Sequence, residues 1–230
     1  MTNNPMTKRP FLVIAVDGGA ASGKSSTSRE LARRFNLLHV DTGAHYRAVA
    51  LACHRAGIDP HDLEGLRDFL RRLRLGARVD GHESLVCLDD GEPPRLEDLR
   101  SEAVNAIVSG FAAEPLVRQS VKAYQRGQVE LARSRGFSGI IMDGRDIGTV
   151  ILPDADLKIF LTADEATRQK RRELEGASET VSDRDRKDSS RATAPLKPAS
   201  DAVIIDNSSL SLDEVVDRVA GLFPDNLRPS

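Results

Sequence analysis

The run Phe11 to Val16 (FLVIAV) is apolar at every position and closes on Asp17-Gly18. An unbroken run of that length fits a central strand covered on both faces. Shorter runs of the same kind recur at Leu37 to Val40, Gly139 to Met142, Leu157 to Leu161 and Ala202 to Ile205, with helical periodicity between most of them. Strands alternating with helices predict a three-layer α/β sandwich on a five-stranded parallel sheet. Between Leu75 and Asp98 the texture changes. Ala77 to Val79 and Ser84 to Leu88 read as two short strands joined at Asp80-Gly81, a small β insertion. A helical stretch follows from Leu96 through Gly110 and again from Glu114 to Arg135, interrupted near Phe111 and stopped by Gly136.

Glu175 to Arg191 is strongly charged and almost free of apolar side chains, which predicts a solvated loop or a mobile lid outside the core. No repeat and no flexible linker divides the chain, so residues 1–230 read as one domain. Its expected core covers about 11–42, 137–175 and 192–222, with an insertion over about 43–136, a lid over about 176–191 and a frayed tail from Pro224. Met1 to Pro10 is polar and lacks the apolar stretch of a signal peptide, and no segment approaches the length of a membrane span.

Charge narrows the function classes. The formal net charge is -2 in a chain that is 30% charged, so the molecule lacks the field of a general nucleic-acid or membrane-surface binder. Any anionic ligand must be met locally. Cys53 and Cys87 are too few for a disulfide framework and lack metal-ligand spacing; free thiols in the cytoplasm are expected. His39, His45, His54, His61 and His82 form no metal-like pattern, and solvated or capping roles are expected for all five.

Directly after the first strand comes Gly18-Gly19-Ala20-Ala21-Ser22-Gly23-Lys24-Ser25, which matches G-x-x-x-x-G-K-[ST] and opens into the helical pattern Ser26 to Phe35. Small residues let backbone N–H groups curl around a phosphate, and the helix start adds partial positive charge. Lys24 is placed to reach the β- and γ-phosphates of a nucleotide, and Ser25 to offer its hydroxyl toward Mg²⁺ or a phosphate oxygen. Motor, switch and small-molecule kinase families all use this loop.

Two further constellations follow strand-like runs. Asp41-Thr42-Gly43-Ala44-His45-Tyr46-Arg47 leads into a helix that Thr42 can cap, with Arg47 just over one turn on. A helix start plus a guanidinium is a second anion site suited to a monophosphate, although a capped surface helix would look the same. Asp143-Gly144-Arg145-Asp146-Ile147-Gly148-Thr149 ends another strand, and residues beyond the carboxyl ends of parallel strands point into the ligand crevice.

Taken in order, GGAASGKSS, DTGAHYR, DGRDIGTVILPDADLKIFL and RDRKDSSRATAPL resemble bacterial cytidylate kinases over about Phe11 to Leu222. The resemblance implies ATP, Mg²⁺ and CMP or dCMP as ligands of a cytoplasmic monomer without nucleic-acid or membrane partners. It assigns Gly18 to Ser26, with Arg168 and Arg172, to ATP, and Ser25 to Mg²⁺ through the nucleotide phosphates. Thr42, Tyr46, Arg47, Ser109, Arg118, Arg145, Asp146, Arg184, Asp188 and Arg191 fall to CMP. Within that set Thr42, Arg47, Arg145 and Arg184 face the phosphate, Ser109, Arg118 and Asp146 the cytosine edge, and Asp188 and Arg191 the ribose and base. Lys24, Arg145, Arg184 and Arg191 carry the electrostatic work of transfer, with no general base.

Two departures stand out: Gly19 where the family usually has Pro, giving a freer loop, and a short stretch between Arg172 and Arg184. Competing readings are a kinase for another small acceptor such as UMP or AMP, a nucleotide-dependent switch, and a nucleic-acid-associated ATPase. The chain has no N-K-x-D guanine signature, and two extra anion sites would be idle in a switch.

Overall fold

The computed structural model describes residues 11–174, 180–191 and 193–224. The expected polar start, Met1 to Pro10, and the expected tail beyond Pro224 lie outside them. The chain opens with β1 (Leu12–Gly18), α1 (Lys24–Phe35), β2 (Leu37–Asp41) and α2 (Thr42–Arg55). The insertion carries α3 (Leu63–Arg72), β3 (Leu75–Asp80), β4 (Glu83–Leu88), α4 (Leu96–Leu99), α5 (Glu102–Ala113) and α6 (Pro115–Ser134). The chain returns through β5 (Gly139–Gly144), a π-helical turn at Ile147–Ile151, β6 (Leu157–Thr162), α7 (Glu165–Leu174), α8 (Val181–Ser189), β7 (Val203–Asp206) and α9 (Leu212–Ala220).

The strands form one sheet in the order β3-β4-β2-β5-β1-β6-β7. The five expected parallel strands are β2-β5-β1-β6-β7, with β7 at one edge. The expected small β insertion is a hairpin that extends this sheet to seven strands: β3 and β4 pair antiparallel, and β4 joins the outer edge of β2. An unpaired edge leaves backbone groups without partners, and the hairpin supplies one, the His39 N–H donating to the His82 carbonyl at 2.7 Å.

Apolar side chains fill both faces of the sheet. Ile14, Val16, Leu31, Ile159, Val216 and Phe223 pack where α1 and α9 cover one face, while Ala15, Leu38, Val40, Ile140 and Met142 pack on the other. A third cluster, centred on Val49, Val108, Phe111 and Val121, holds the insertion helices to α2. At the end of β1, the buried Asp17 carboxylate accepts the N–H groups of Ile147 and Gly148, each at 2.8 Å. Burial nevertheless raises its pKa to about 6. These two bonds fix the turn that follows Asp146, and so the aim of the residues before it.

Local chemistry sets the helix boundaries. The expected helix from Leu96 to Gly110 is split, because Ser101 caps α5 by accepting from the Val104 N–H at 3.4 Å. Pro115 opens α6 behind Glu114, which accepts from the Leu116 N–H. The charged stretch expected as loop or lid contains a helix, α8, capped by Thr180; positions 175–179 lie outside the described residues. Its two buried residues, Val181 and Asp188, hold it to the body, and its remaining charges are largely met in pairs. Charge pairing thus substitutes for the apolar stripe that sequence periodicity looks for.

Gly139 sits in β5 between β1 and β2, where an added Cβ would lie 2.3 Å from the Leu12 carbonyl oxygen. Backbone in a central strand cannot step aside, so Gly139→Ala is expected to cost at least about 1–3 kcal/mol. The readout is a lower urea midpoint; an unchanged midpoint would contradict this packing.

Candidate active site

The phosphate loop leaves β1 and enters α1 through Gly23, whose φ of 85° lies in the left-handed region that favours glycine. Lys24 is buried, and its ammonium donates to the Gly19 carbonyl at 2.7 Å and to Ser22 Oγ at 3.3 Å. Burial, followed by the positive charge of Arg145, lowers its pKa to about 7. The Ser25 hydroxyl donates to Asp143 Oδ1 at 3.0 Å. Asn207, just after β7, braces the loop by donating to the Ser22 carbonyl at 2.8 Å, while its Oδ1 accepts from Arg171 at 2.9 Å. Sequence reasoning assigned neither Asn207 nor Arg171.

Arg168 lies against the outer side of this loop. It donates to the Ala163 carbonyl at 2.9 Å and pairs with Asp185. The other Asp185 oxygen accepts from the Ala20 N–H at 2.8 Å. A Cβ at Gly19 would lie 2.7 Å from Arg168 Nη1 and 2.8 Å from Asp185 Oδ2. The departure at Gly19 therefore makes room for an ion pair that clamps the loop, in place of the freer loop expected.

The second constellation is capped differently from the expectation. Asp41 caps α2 by accepting from the Ala44 N–H at 3.2 Å, and Thr42 instead donates to the Asp143 carbonyl at 2.7 Å. Arg47 reaches the Leu99 carbonyl at 3.0 Å and Asn105 Oδ1 at 2.7 Å. Burial lowers its pKa to about 10, with Arg184 and Arg100 adding to the shift.

Beyond β5 the charges converge. Arg145 Nε donates to Asp188 Oδ2 at 2.6 Å, Arg191 to Asp188 Oδ1 at 2.5 Å, and Arg184 lies 3.8 Å from the same carboxylate while donating to Ser109 Oγ at 2.7 Å. Burial opposes charge on Asp188, but Arg145, Arg191 and Arg184 hold its pKa below the ordinary range. Three guanidiniums share this one carboxylate, a basic setting suited to an anionic ligand. Alongside, Arg118 donates to Asp146 Oδ2 at 2.5 Å and to the Ala112 carbonyl at 3.0 Å, and lies 5.4 Å from the Tyr46 ring centroid. Burial raises the pKa of Asp146 despite Arg118.

These groups share a cleft of about 910 Å³ at the carboxyl ends of the strands. It runs from Ala20 to Ser26 at one end to Ser109, Arg118 and Asp146 at the other, passing Thr42, Tyr46, Arg47, Arg145, Arg172, Arg184, Asp188 and Arg191. Every residue the resemblance assigned to CMP lines it, as does Arg172, while Gly18, Gly19 and Arg168 do not. Arg100 and Lys187 line it as well, without any signal in the sequence.

The expectation of solvated or capping histidines fails at two positions. His45 is fully buried with neither ring nitrogen hydrogen-bonded, edge-on to Tyr124 at 4.9 Å, and burial lowers its pKa to about 3. His39 is also fully buried, with Nε2 2.7 Å from Asp143 and Nδ1 2.9 Å from Glu83. Burial alone would depress its pKa, but the two carboxylates overcome this and raise it to about 9.

A phosphate loop, a second basic anion site and a cleft joining them at the carboxyl end of a parallel sheet define a P-loop phosphotransferase for a small acceptor. A sequence model of cytidylate kinases matches residues 14–225. Among curated relatives, a cytidylate kinase of Geobacillus kaustophilus is 41% identical, the match covering 90% of this chain and 93% of that protein. One from Pelotomaculum thermopropionicum is 42% identical with the same coverage. A bifunctional pantoate ligase/cytidylate kinase of Synechococcus elongatus is 43% identical over 95% of this chain and 42% of that longer protein. The chain belongs to the cytidylate kinase family.

With its pKa lowered to about 7 by burial, Lys24 gives up much of its charge at pH 8. A polyphosphate restores its charge, so ATP binding at pH 8 should be accompanied by net proton uptake. Calorimetry in two buffers of different ionisation enthalpy reads this directly. The uptake should vanish in Lys24→Met, and its absence in the parent would contradict the burial assigned to Lys24.

Proposed function

We propose that this chain transfers the γ-phosphoryl group of ATP to CMP and dCMP, giving ADP and CDP or dCDP. The observation that carries the reading is the cleft itself, which joins Lys24 and Ser25 at one end to the buried Arg118–Asp146 pair at the other. Cytosine offers an amino donor beside ring-nitrogen and carbonyl acceptors. A carboxylate next to a guanidinium matches that edge, with the Ser109 hydroxyl as a further partner.

The acceptor phosphate belongs among Thr42, Arg47, Arg145 and Arg184, and the ribose near Asp188 and Arg191. In the structure these cations are held by Asp188, Ser109, Leu99 and Asn105, so substrate exchanges one set of partners for another instead of entering an unstructured site. The donor end is the loop from Gly18 to Ser26, flanked by Arg168 and Arg172. Once Lys24 turns from the Gly19 carbonyl, its ammonium follows charge that develops on the transferring group, as do Arg145, Arg184 and Arg191. The acceptor's phosphate oxygen is already ionised, so no side chain has to remove a proton. With α8 over the cleft, the same residues that bind the acceptor exclude water from ATP.

Mg²⁺ is the cation the donor chemistry suits. Among the described residues no group of three metal-ligating side chains forms a protein cage. The Ser25 hydroxyl, backed by Asp143, offers the hard oxygen donor that Mg²⁺ takes alongside nucleotide phosphates and water. When bound, the ion supplies neutralisation of the β- and γ-phosphate charge. The protein is read as a cytoplasmic monomer without nucleic-acid partners, in line with its near-neutral charge. No helix of the described residues is long and apolar enough to cross a membrane.

The test is ADP release from Mg-ATP with CMP, dCMP, UMP, AMP, GMP or no acceptor. Turnover should require CMP or dCMP, fall by about 100-fold or more in Lys24→Ala, and show a CMP KM raised by about tenfold or more in Arg118→Met. ADP release that ignores the acceptor would sink the reading in favour of an ATPase or a switch.

A further inference from the structure

The insertion hairpin meets the central sheet at a single paired position, where Glu83 of β4 faces His39 of β2. From that position the His39 side chain reaches in two directions, to Glu83 Oε2 at 2.9 Å and to Asp143 Oδ2 at 2.7 Å. Both partners are carboxylates that engage it as acceptors, so the geometry calls for a hydrogen on each ring nitrogen. The second oxygen of Asp143 accepts from Ser25 Oγ at 3.0 Å, and the second oxygen of Glu83 accepts from Arg29 Nε at 3.1 Å. Ser25 and Arg29 stand four residues apart on α1 and so share one face of it. The side chains therefore close a ring from α1 to β5, across to β2 and β4, and back to α1. Its centre is dry, since the side chains of His39 and Asp143 are 0% and 3% exposed, while its outer link is wet, with Arg29 at 56%. Neither His39 nor Glu83 is among the residues lining the cleft.

We propose that His39 is a positioning residue: it fixes the Asp143 carboxylate toward Ser25 and ties that orientation to the seating of the β3–β4 hairpin, so that the phosphate loop and the insertion are set as one unit. A buried carboxylate oxygen cannot be left without a donor. If His39 is removed, Asp143 must find a replacement for its second oxygen; Ser25 already serves the first, and the nearby cation acting on it besides His39 is Lys24. Turning Lys24 to that oxygen, or letting the freed carboxylate swing and carry Ser25 with it, draws a loop side chain away from the nucleotide phosphates. The effect should be weaker when only Glu83 is lost, because water can reach that side of the ring.

The inference gives turnover its meaning through the kinase reading, but nucleotide binding tests it separately. The experiment compares His39→Leu, Glu83→Ala and the double variant by thermal melting, by calorimetric titration with ADP in EDTA, and by kcat and KM for ATP and CMP. His39→Leu should weaken ADP binding and lower kcat by about tenfold or more, the scale of one hydrogen bond to a buried charge, with the KM for CMP within about twofold of the parent. Glu83→Ala should shift ADP affinity and kcat in the same direction by less, and the double variant should be no worse than His39→Leu. A folded His39→Leu protein with parental ADP affinity, or losses that add in the double variant, would overturn the proposal. Should His39→Leu fail to fold, Glu83→Ala decides: parental ADP affinity and kcat overturn it. If no acceptor supports turnover, the kinase reading fails while the ADP titrations still decide the role of His39.

Discussion

Three guanidiniums gathered on the carboxylate of Asp188 are the constraint around which the rest of the cleft is arranged. Arg145 directly follows β5, Arg184 comes from α8, and Arg191 stands two residues beyond the end of that helix. One buried carboxylate thus ties the last turn of a charged helix to a central strand. Burying that many charges is tolerable because they are partnered, and an anionic ligand can take over those partnerships. The same arrangement explains how a segment with little apolar surface folds against the body at all: α8 is anchored at Val181 and Asp188 and held by pairs such as Arg168–Asp185.

The sheet supplies what this network needs, a rigid set of strand ends. β1, β2 and β5 deliver the phosphate loop, Asp41-Thr42 and Gly144-Arg145 to one edge, and hydrogen bonds between their ends, such as Thr42 to the Asp143 carbonyl and Ile147 to Asp17, fix their separation. The insertion is joined to this edge twice, by apolar packing against α2 and by the hairpin at β2. Acceptor-side and donor-side residues are therefore positioned by one continuous framework.

The parts of this site legible in the sequence are those whose chemistry demands a fixed local spacing. A phosphate loop needs glycine at Gly23 and a lysine and serine directly after it, and DGRDIGT marks itself by charges at a strand end. Ser109 and Arg118 had no such signature. They became site residues only through the family resemblance, and in the structure their partners are remote in sequence, Arg184 and Asp146. His39, Asn207 and Arg171 were missed for the same reason. A histidine within Leu37 to Asp41 reveals nothing about the carboxylates waiting 44 and 104 positions away. The helix α8 escaped because periodicity reports apolar burial, and this helix is held largely by charge.

The central claim is that Arg145 and Arg184, the guanidiniums beside Asp188 assigned to the acceptor phosphate, receive it together with Arg47. Calorimetric titration of the protein with CMP and with cytidine, in the absence of ATP, tests it most directly. If the claim holds, CMP binds at least about 100-fold more tightly than cytidine, the scale of two or more charge-assisted hydrogen bonds in a desolvated site. Equal affinities would contradict it and leave those arginines with a purely structural role.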